Sequence, residues 1–571
     1  MRQALLGALL GASLLMRASA AQLEQQPRAL RGGYDVSWNG SSPNETGFGV
    51  GIGRAGTSAA YSAKGDTTFK DGMPLGNGDM VALAWANVSD GGVSMYIRKA
   101  DAMDGQTNLQ TLGLLHITLS PNPFEDGAYF NQTLHLATAT VSVLAGGSSL
   151  ADHKVAFDVR VQAGSNRLSI GITSRGDKYS LTAYLDPVRA YKTPNATHPA
   201  TWCQSFPADT VPGQDCGVVL ASAKEVDSAG TALAGSHSLV SYIRNLRGNV
   251  SKPTFVQQAL AADAVPELAS VTPDYWTNSQ TGLVVRGHAS DGSPLKRSTP
   301  ATLLSGGAAS GFELSVDSLT RVTPSSTAWI KAIGAQAAAG KSMAQSAGED
   351  TAFWRQFWQR SYIDLGEAQE QQEEEQQQQE QQEQEQEEEG QRLSLVYQLT
   401  RFVQAVQSRT RWPIKFNGML FSANRYNATI EGAGPDNRNW GGANWWQNLR
   451  LPYWSMFASG DWDTLETVFK YYKNMLPLAE KRTLRYFNHT GIFFTETKLI
   501  FGAWGGVGHV PWKGAYNDTY WLFGNSYTAL DLGGNAGGTE VAFMLLNAFE
   551  YTRNEVSAAT AGFGCDCWRC C

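Results

Sequence analysis

Residues 440–454 read Trp440-Gly441-Gly442-Ala443-Asn444-Trp445-Trp446-Gln447-Asn448-Leu449-Arg450-Leu451-Pro452-Tyr453-Trp454. Upstream stands Phe416-Asn417-Gly418, and downstream Phe493-Phe494-Thr495-Glu496-Thr497. Flat aromatics, amides and a carboxyl in apolar surroundings are what a sugar-cleaving pocket needs. Ring faces lie against the C–H faces of a pyranose, and amides bond its hydroxyls. A carboxyl among aromatics can hold its proton at neutral pH, because low dielectric disfavours the anion. The plainer reading is a Trp/Tyr core whose polar tips are satisfied locally.

The segments on either side of this stretch read as helices. From Arg392, Val396, Leu399, Val403 and Val406 recur at helical spacing. Asp463–Leu476 carries Leu465, Val468, Phe469, Tyr472 and Leu476 on one side, and Thr539–Thr552 carries Val541, Leu545, Ala548 and Phe549. Further back lies Glu367–Gln391, nearly pure Glu and Gln. It cannot bury enough apolar surface to offset its ordering entropy, so it reads as a solvated insert, disordered or loosely helical. Before it, Ser326–Ala338 and Thr351–Ser361 read as helices, with Phe353, Trp354, Phe357 and Trp358 as one apolar stripe.

From Tyr34 to Arg321 the pattern changes to short apolar or alternating runs between Gly, Asn, Asp and Ser turns. These are Met80–Ala86, Val93–Ile97, Leu114–Leu119, Thr140–Leu144, Val155–Val161, Leu168–Ile172, Gly282–Val285 and Phe312–Val316. Many strands without interposed amphipathic helices predict a large antiparallel β-sandwich. The expected division is a leader over 1–20, a sandwich over 34–321 and a helical linker over 322–365. The Glu/Gln insert over 366–391, a helical domain over 392–555 and a Cys-rich tail over 556–571 follow.

The 571 residues suffice for several domains, and aromatics make up 11%. Arg2, the apolar run Ala4–Met16 and Ala18-Ser19-Ala20 read as a secretory signal peptide. Nine Asn-x-Ser/Thr sites (Asn39, Asn44, Asn87, Asn131, Asn195, Asn249, Asn427, Asn488 and Asn517) agree with secretion. No further long apolar run predicts a membrane span. Eleven of the acidic charges sit in the Glu/Gln insert; removing them from the net −7 leaves +4, and neither value suggests nucleic-acid binding. Cys203 and Cys216 are close enough in sequence for a loop-closing disulfide, which secretion permits. Cys565, Cys567, Cys570 and Cys571 crowd the end without a nearby His or second cluster, so no metal site is expected.

The order of parts, with Met73-Pro74-Leu75-Gly76-Asn77-Gly78-Asp79 through Trp85 and the motifs of residues 413–421, 440–454, 458–461 and 491–497, resembles the six-hairpin glycosidases, most closely relatives of glycoside hydrolase family 95. The resemblance covers about 500 residues of the chain without the insert. It implies a sandwich, a helical linker and an (α/α)6 barrel, with a short strand and acidic turn at Tyr96–Asp101. It also implies inverting hydrolysis of a terminal glycosidic bond in an oligo- or polysaccharide, an α-L-fucoside or α-L-galactoside at family level, with no cofactor. One carboxylic acid protonates the leaving oxygen while a second carboxylate activates water on the opposite face.

By that resemblance Glu496 is the acid and Asn448 holds the attacking water, with Asn444 and Gln447 able to replace it. Arg450 either grips sugar hydroxyls, orients a carboxylate or forms an ion pair. Asn417 contacts the sugar or shapes its turn. Trp440, Trp445, Trp446 and Trp454 divide between core and sugar platform, at least half being core. The resemblance stops short: residues 392–555 supply roughly half of a barrel's helices, which predicts a truncated chain. Within the chain the base would come from Asp436, Glu431, Asp531 or Glu540. A glycoside phosphorylase and a non-catalytic or inactive glycan-binding protein are the rival expectations.

Overall fold

The computed structural model describes residues 36–38, 72–103, 109–124, 128–186, 237–244, 266–270, 272, 274–275, 279–298, 303–365, 377–415, 419–421, 444–492, 494, 497–498, 500, 502 and 538–553. Two antiparallel sheets face each other. The eight-stranded sheet runs β1 (Val36–Trp38), β6 (Phe130–His135), β7 (Thr140–Ala145), β8 (Val155–Val161), β9 (Arg167–Ser174), β15 (Gly311–Val322), β12 (Ser279–Ala289) and β11 (Leu239–Arg244). The seven-stranded sheet runs β13 (Lys296–Ser298), β14 (Leu303–Ala309), β10 (Tyr179–Asp186), β5 (Leu109–Ser120), β4 (Gly92–Met103), β3 (Met80–Asn87) and β2 (Met73–Gly76). All eight runs read as strands from the sequence are strands. In β8, Val155, Phe157, Val159 and Val161 are buried while Ala156, Asp158 and Arg160 are half-exposed, the alternation that a one-sided sheet imposes.

The acidic turn expected at Asp101 is absent. β4 continues to Met103, and Asp101 lies within the strand. Buried Lys99 makes this possible: its Nζ reaches Asp101 at 2.7 Å and both oxygens of Asp79 at 2.7 and 2.8 Å. Thr320 Oγ1 donates to Asp101 from the opposite sheet at 2.6 Å. A buried cation with two carboxylates is neutralised in place, so the chain has no need to turn toward solvent.

Helix α1 (Ser326–Ala339) lays Trp329, Ile330 and Ile333 over Tyr242 and Val284. Helix α2 (Met343–Arg360) opens with a capping box from Ser342 and Gln345 and buries Trp354, Phe357 and Trp358. Phe353 of the expected stripe is only half-buried. Helix α3 (Gln377–Ala405) begins inside the Glu/Gln insert and runs through its end without a break. Its buried face is wider than the expected one: Leu395, Gln398, Phe402 and Ala405 point inward, Leu399 and Val403 pack half-buried on the core with buried Val406 just beyond, and only Val396 of the expected stripe is exposed, at 54%. Gln398 and Arg401 define that face because both have partners there. Gln398 Nε2 donates to the Ile363 carbonyl at 2.9 Å, and Arg401 takes Asp461 through two bonds of 2.8 Å.

The glycine-rich turn after β2 docks this helix on the sandwich. Gly78 N–H donates to the Val406 carbonyl at 2.9 Å, and Arg409 N–H donates to the Gly78 carbonyl at 3.0 Å. Gly78 has φ +98°, and a Cβ there would collide with Arg409, so only glycine fits. Arg98, buried in β4, donates through Nη1 to the Leu420 carbonyl at 2.5 Å. Among the described residues no helix is long and apolar enough to cross a membrane.

Candidate functional site

Two distant motifs meet in a short ladder. β16 (Asn444–Trp445) pairs antiparallel with β17 (Thr497–Lys498), Asn444 opposite Lys498 and Trp445 opposite Thr497. The chain then enters α4 (Trp446–Leu449) and α5 (Leu451–Ser459), where Pro452 occupies the first turn, a place that needs no backbone N–H. Helix α6 (Trp462–Asn474) supplies Tyr471 and Tyr472, α7 (Leu476–Phe487) follows, and α8 (Gly538–Thr552) brings Glu540 in its first turn.

Trp446 is buried edge-to-face on Tyr472 at 5.1 Å, and Tyr472 meets Phe494 in the same way at 4.9 Å. Lys498 Nζ donates to the Tyr472 hydroxyl at 2.9 Å. Three donors converge on Glu540. Trp446 Nε1 reaches Oε2 at 2.8 Å, Trp454 Nε1 reaches Oε1 at 3.0 Å, and Arg450 Nε reaches Oε1 at 2.9 Å. Arg450 is therefore an ion-pair residue that orients a carboxylate, one of the roles the sequence allowed it.

Asn444 is 2% exposed, and neither its amide oxygen nor its nitrogen makes a hydrogen bond among the described residues. The Tyr471 side chain is its neighbour. Burial pushes the Tyr471 phenol well above its ordinary range, and the neighbouring amide eases that push only in part. A buried amide in this state is costly unless a ligand or water completes it.

Asn448 is half-buried on α4, Trp445 is half-buried, and Trp446 is core. Gln447 belongs to α4, but its side chain lies outside the described residues, as do Glu496, Asn417, Trp440, Glu431, Asp436 and Asp531. The cysteine expectations fall there too. Tyr471 and Lys498 had no signal as site residues, since each acquires its neighbours only through the ladder and the packing of α6. A separate cleft of about 620 Å³ between the sandwich and α1, lined by Asn77, Asp79, Asn166, Asp317, Gln336 and Arg409, has no aromatic wall.

Residues 62–363, more than half of the chain, match the family described as a domain of unknown function, DUF5703, in its N-terminal part. The chain belongs to the DUF5703 family. No curated protein matches it. Among solved structures, this DUF5703 chain is similar to a putative kojibiose phosphorylase from the human microbiome, at 12% identity and TM-score 0.38 over 76% of this chain and 47% of that one. It is also similar to a bacterial glucoamylase complexed with acarbose, at 9% identity and TM-score 0.30 over 82% of this chain and 56% of that one. The DUF5703 chain thus spans about half the length of each.

Proposed function

We propose that the chain is a secreted glycoside hydrolase that removes a terminal sugar with inversion, an α-L-fucoside or α-L-galactoside being the class its motifs resemble. The helices from Arg392 onward are read as part of an (α/α)6 barrel. The observation that carries the proposal is the pairing of Asn444–Trp445 with Thr497–Lys498, which brings the amide- and indole-rich motif against the segment that follows Glu496. Glu496 acts as the acid that gives its proton to the leaving oxygen, and Asn448 holds the attacking water. Asn444, whose buried amide makes no hydrogen bond among the described residues, is completed by a substrate hydroxyl or by water.

Glu540 serves as a positioning residue. A carboxylate offers about four acceptor positions, and three donors already occupy its oxygens. It fixes Trp446, Trp454 and Arg450 around the site. The base that activates water is assigned to Glu431, Asp436 or Asp531. No metal or organic cofactor enters these steps.

The test is release of aryl alcohol from a panel of aryl α-glycosides by the secreted chain, with the first-formed anomer read by NMR. Inverted product that Glu496→Gln abolishes supports the reading. Release that requires inorganic phosphate points instead to phosphorolysis, and sugar binding without turnover to a glycan-binding protein; either outcome overturns it.

A further inference from the structure

We infer that Asn488 carries an N-linked glycan, in the sequon Asn488-His489-Thr490, and that the folded chain excludes one at Asn87. The inference rests on the reading of residues 1–20 as a secretory leader, since transfer occurs in that pathway. Three of the nine sequons have described acceptor side chains, and their surroundings differ sharply.

At the end of β3, the Asn87 Nδ2 donates to Asp90 Oδ2 at 2.9 Å and to Ser94 Oγ at 3.0 Å. Its Oδ1 accepts from Ser89, the hydroxyl of its own sequon, at 3.3 Å. Both Nδ2 hydrogens are therefore in use, and Ser94 is buried in the sheet face. A glycosylated amide keeps a single N–H and must project a sugar ring from the same nitrogen. At Asn87 that ring would displace Asp90 or Ser94. Asn131 stands in β6 between β1 and β7, half-buried, with Oδ1 accepting from Thr133 Oγ1 at 2.7 Å.

Asn488 is the opposite case. It follows the last turn of α7, with φ 57° and ψ 34°, and its backbone N–H closes the helix on the Leu484 carbonyl at 3.1 Å. This left-handed position suits asparagine better than most residues. The helix end is secured by backbone alone. The side chain is exposed, as are His489 and Thr490, and it makes no hydrogen bond among the described residues. A large polar substituent there meets solvent and breaks no hydrogen bond among the described residues.

The donor is a lipid-diphosphate-linked oligosaccharide. Asn488 Nδ2 bonds to the anomeric carbon and loses one proton to the transferase's base. The bond from that carbon to the diphosphate oxygen breaks, and the lipid diphosphate leaves with the electron pair.

The experiment uses the full chain with its own leader, secreted from a eukaryotic host. It is deglycosylated enzymatically in heavy-oxygen water and mapped by peptide mass spectrometry. Asn488 should convert to labelled Asp, while Asn87 should not. Two variants separate glycan from cap. Thr490→Ala destroys the sequon and leaves the asparagine cap, whereas Asn488→Gly loses the acceptor but keeps the left-handed backbone. Each should migrate as one glycan fewer, with the unfolding midpoint of the Asn488→Gly chain close to that of the deglycosylated wild type. Unlabelled Asn488 in a chain labelled at other sequons overturns the inference, as does Thr490→Ala without a mobility shift. A chain without label at any sequon overturns the secretory reading, and this inference with it.

Discussion

Glu540 shows how much a single carboxylate can organise. Its two oxygens take two indole N–H groups and one guanidinium, from Trp446 on α4, Trp454 on α5 and Arg450 at the junction between them. Glu540→Gln would replace one acceptor oxygen with an amide N–H₂ that confronts these donors. Leaving such donors unsatisfied costs about 1–3 kcal/mol. Urea unfolding followed by tryptophan fluorescence should show a lower midpoint at unchanged slope, and KM for any cleaved glycoside should rise more than kcat falls. An unaltered midpoint would remove Glu540 from its positioning role. His116 makes a prediction about pH. Burial lowers its pKa below the ordinary 6.5, against the opposing pull of Asp186 and Asp90. Ser94 Oγ lies 2.8 Å from its Nδ1, and Tyr184 stacks on it at 6.1 Å. Because the folded pKa is depressed, the unfolded chain binds more protons below about pH 6.5, so stability falls on acidification through that window. His116→Gln should flatten the curve there; an unchanged acid limb in the variant would refute the assignment. Neither arrangement was visible beforehand in the sequence. Glu540 could be named only as one of four acidic residues, because its donors lie about 90 residues away.

Elements were legible where one face meets solvent. In β8 and the second half of β5 burial alternates with period two, and that period survives in the chain text, whereas β3 and most of β4 are buried on both faces and read as continuous apolar runs. The inward face of helix α3 was only partly legible, for a physical reason. Its inward face carries Gln398 and Arg401, both nearly fully buried, and hydrophobic spacing alone counts such residues as outward. Of the expected stripe Leu399, Val403 and Val406 do pack on the core, and only Val396, a turn earlier, faces outward. The two faces make opposite predictions. Phe402 is fully buried against Trp354 at 5.3 Å, so Phe402→Ala should cost about 3–5 kcal/mol. Val396→Ser, on the exposed side, should stay within about 0.5 kcal/mol. Chemical denaturation of both variants checks the helix orientation, and a large loss from Val396→Ser would reverse it. At the site, the aromatic-amide motif was legible as a motif. Its partner strand was not, since a two-residue ladder leaves no periodic trace.

At the scale of the molecule, the sandwich and the helices share contacts that cross hundreds of residues of sequence. Gly78 on Val406 and Arg409, and Arg98 on the Leu420 carbonyl, tie β-strands to the helical part. The Glu/Gln insert separates two segments that are nevertheless neighbours. A Cβ on Gly390 would lie 2.5 Å from the Leu365 carbonyl oxygen. Leu365 N–H donates to Ser394 Oγ at 2.8 Å, and Ser394 Oγ in turn donates to the Gly390 carbonyl at 2.8 Å. Leu365 and Gly390, 25 residues apart in sequence, thus stand side by side. Replacing residues 366–389 by three glycines should bridge that gap without strain. Each halving of a flexible loop lowers the entropy lost on folding by about 0.6 kcal/mol, and the replacement also removes the helical residues 377–389 of α3. The shortened chain is expected to melt at or a few degrees above the parent, with unchanged near-ultraviolet circular dichroism. If it instead melts well below the parent, the polar helix that opens α3 holds the domains together, and the tract is a structural element of the fold.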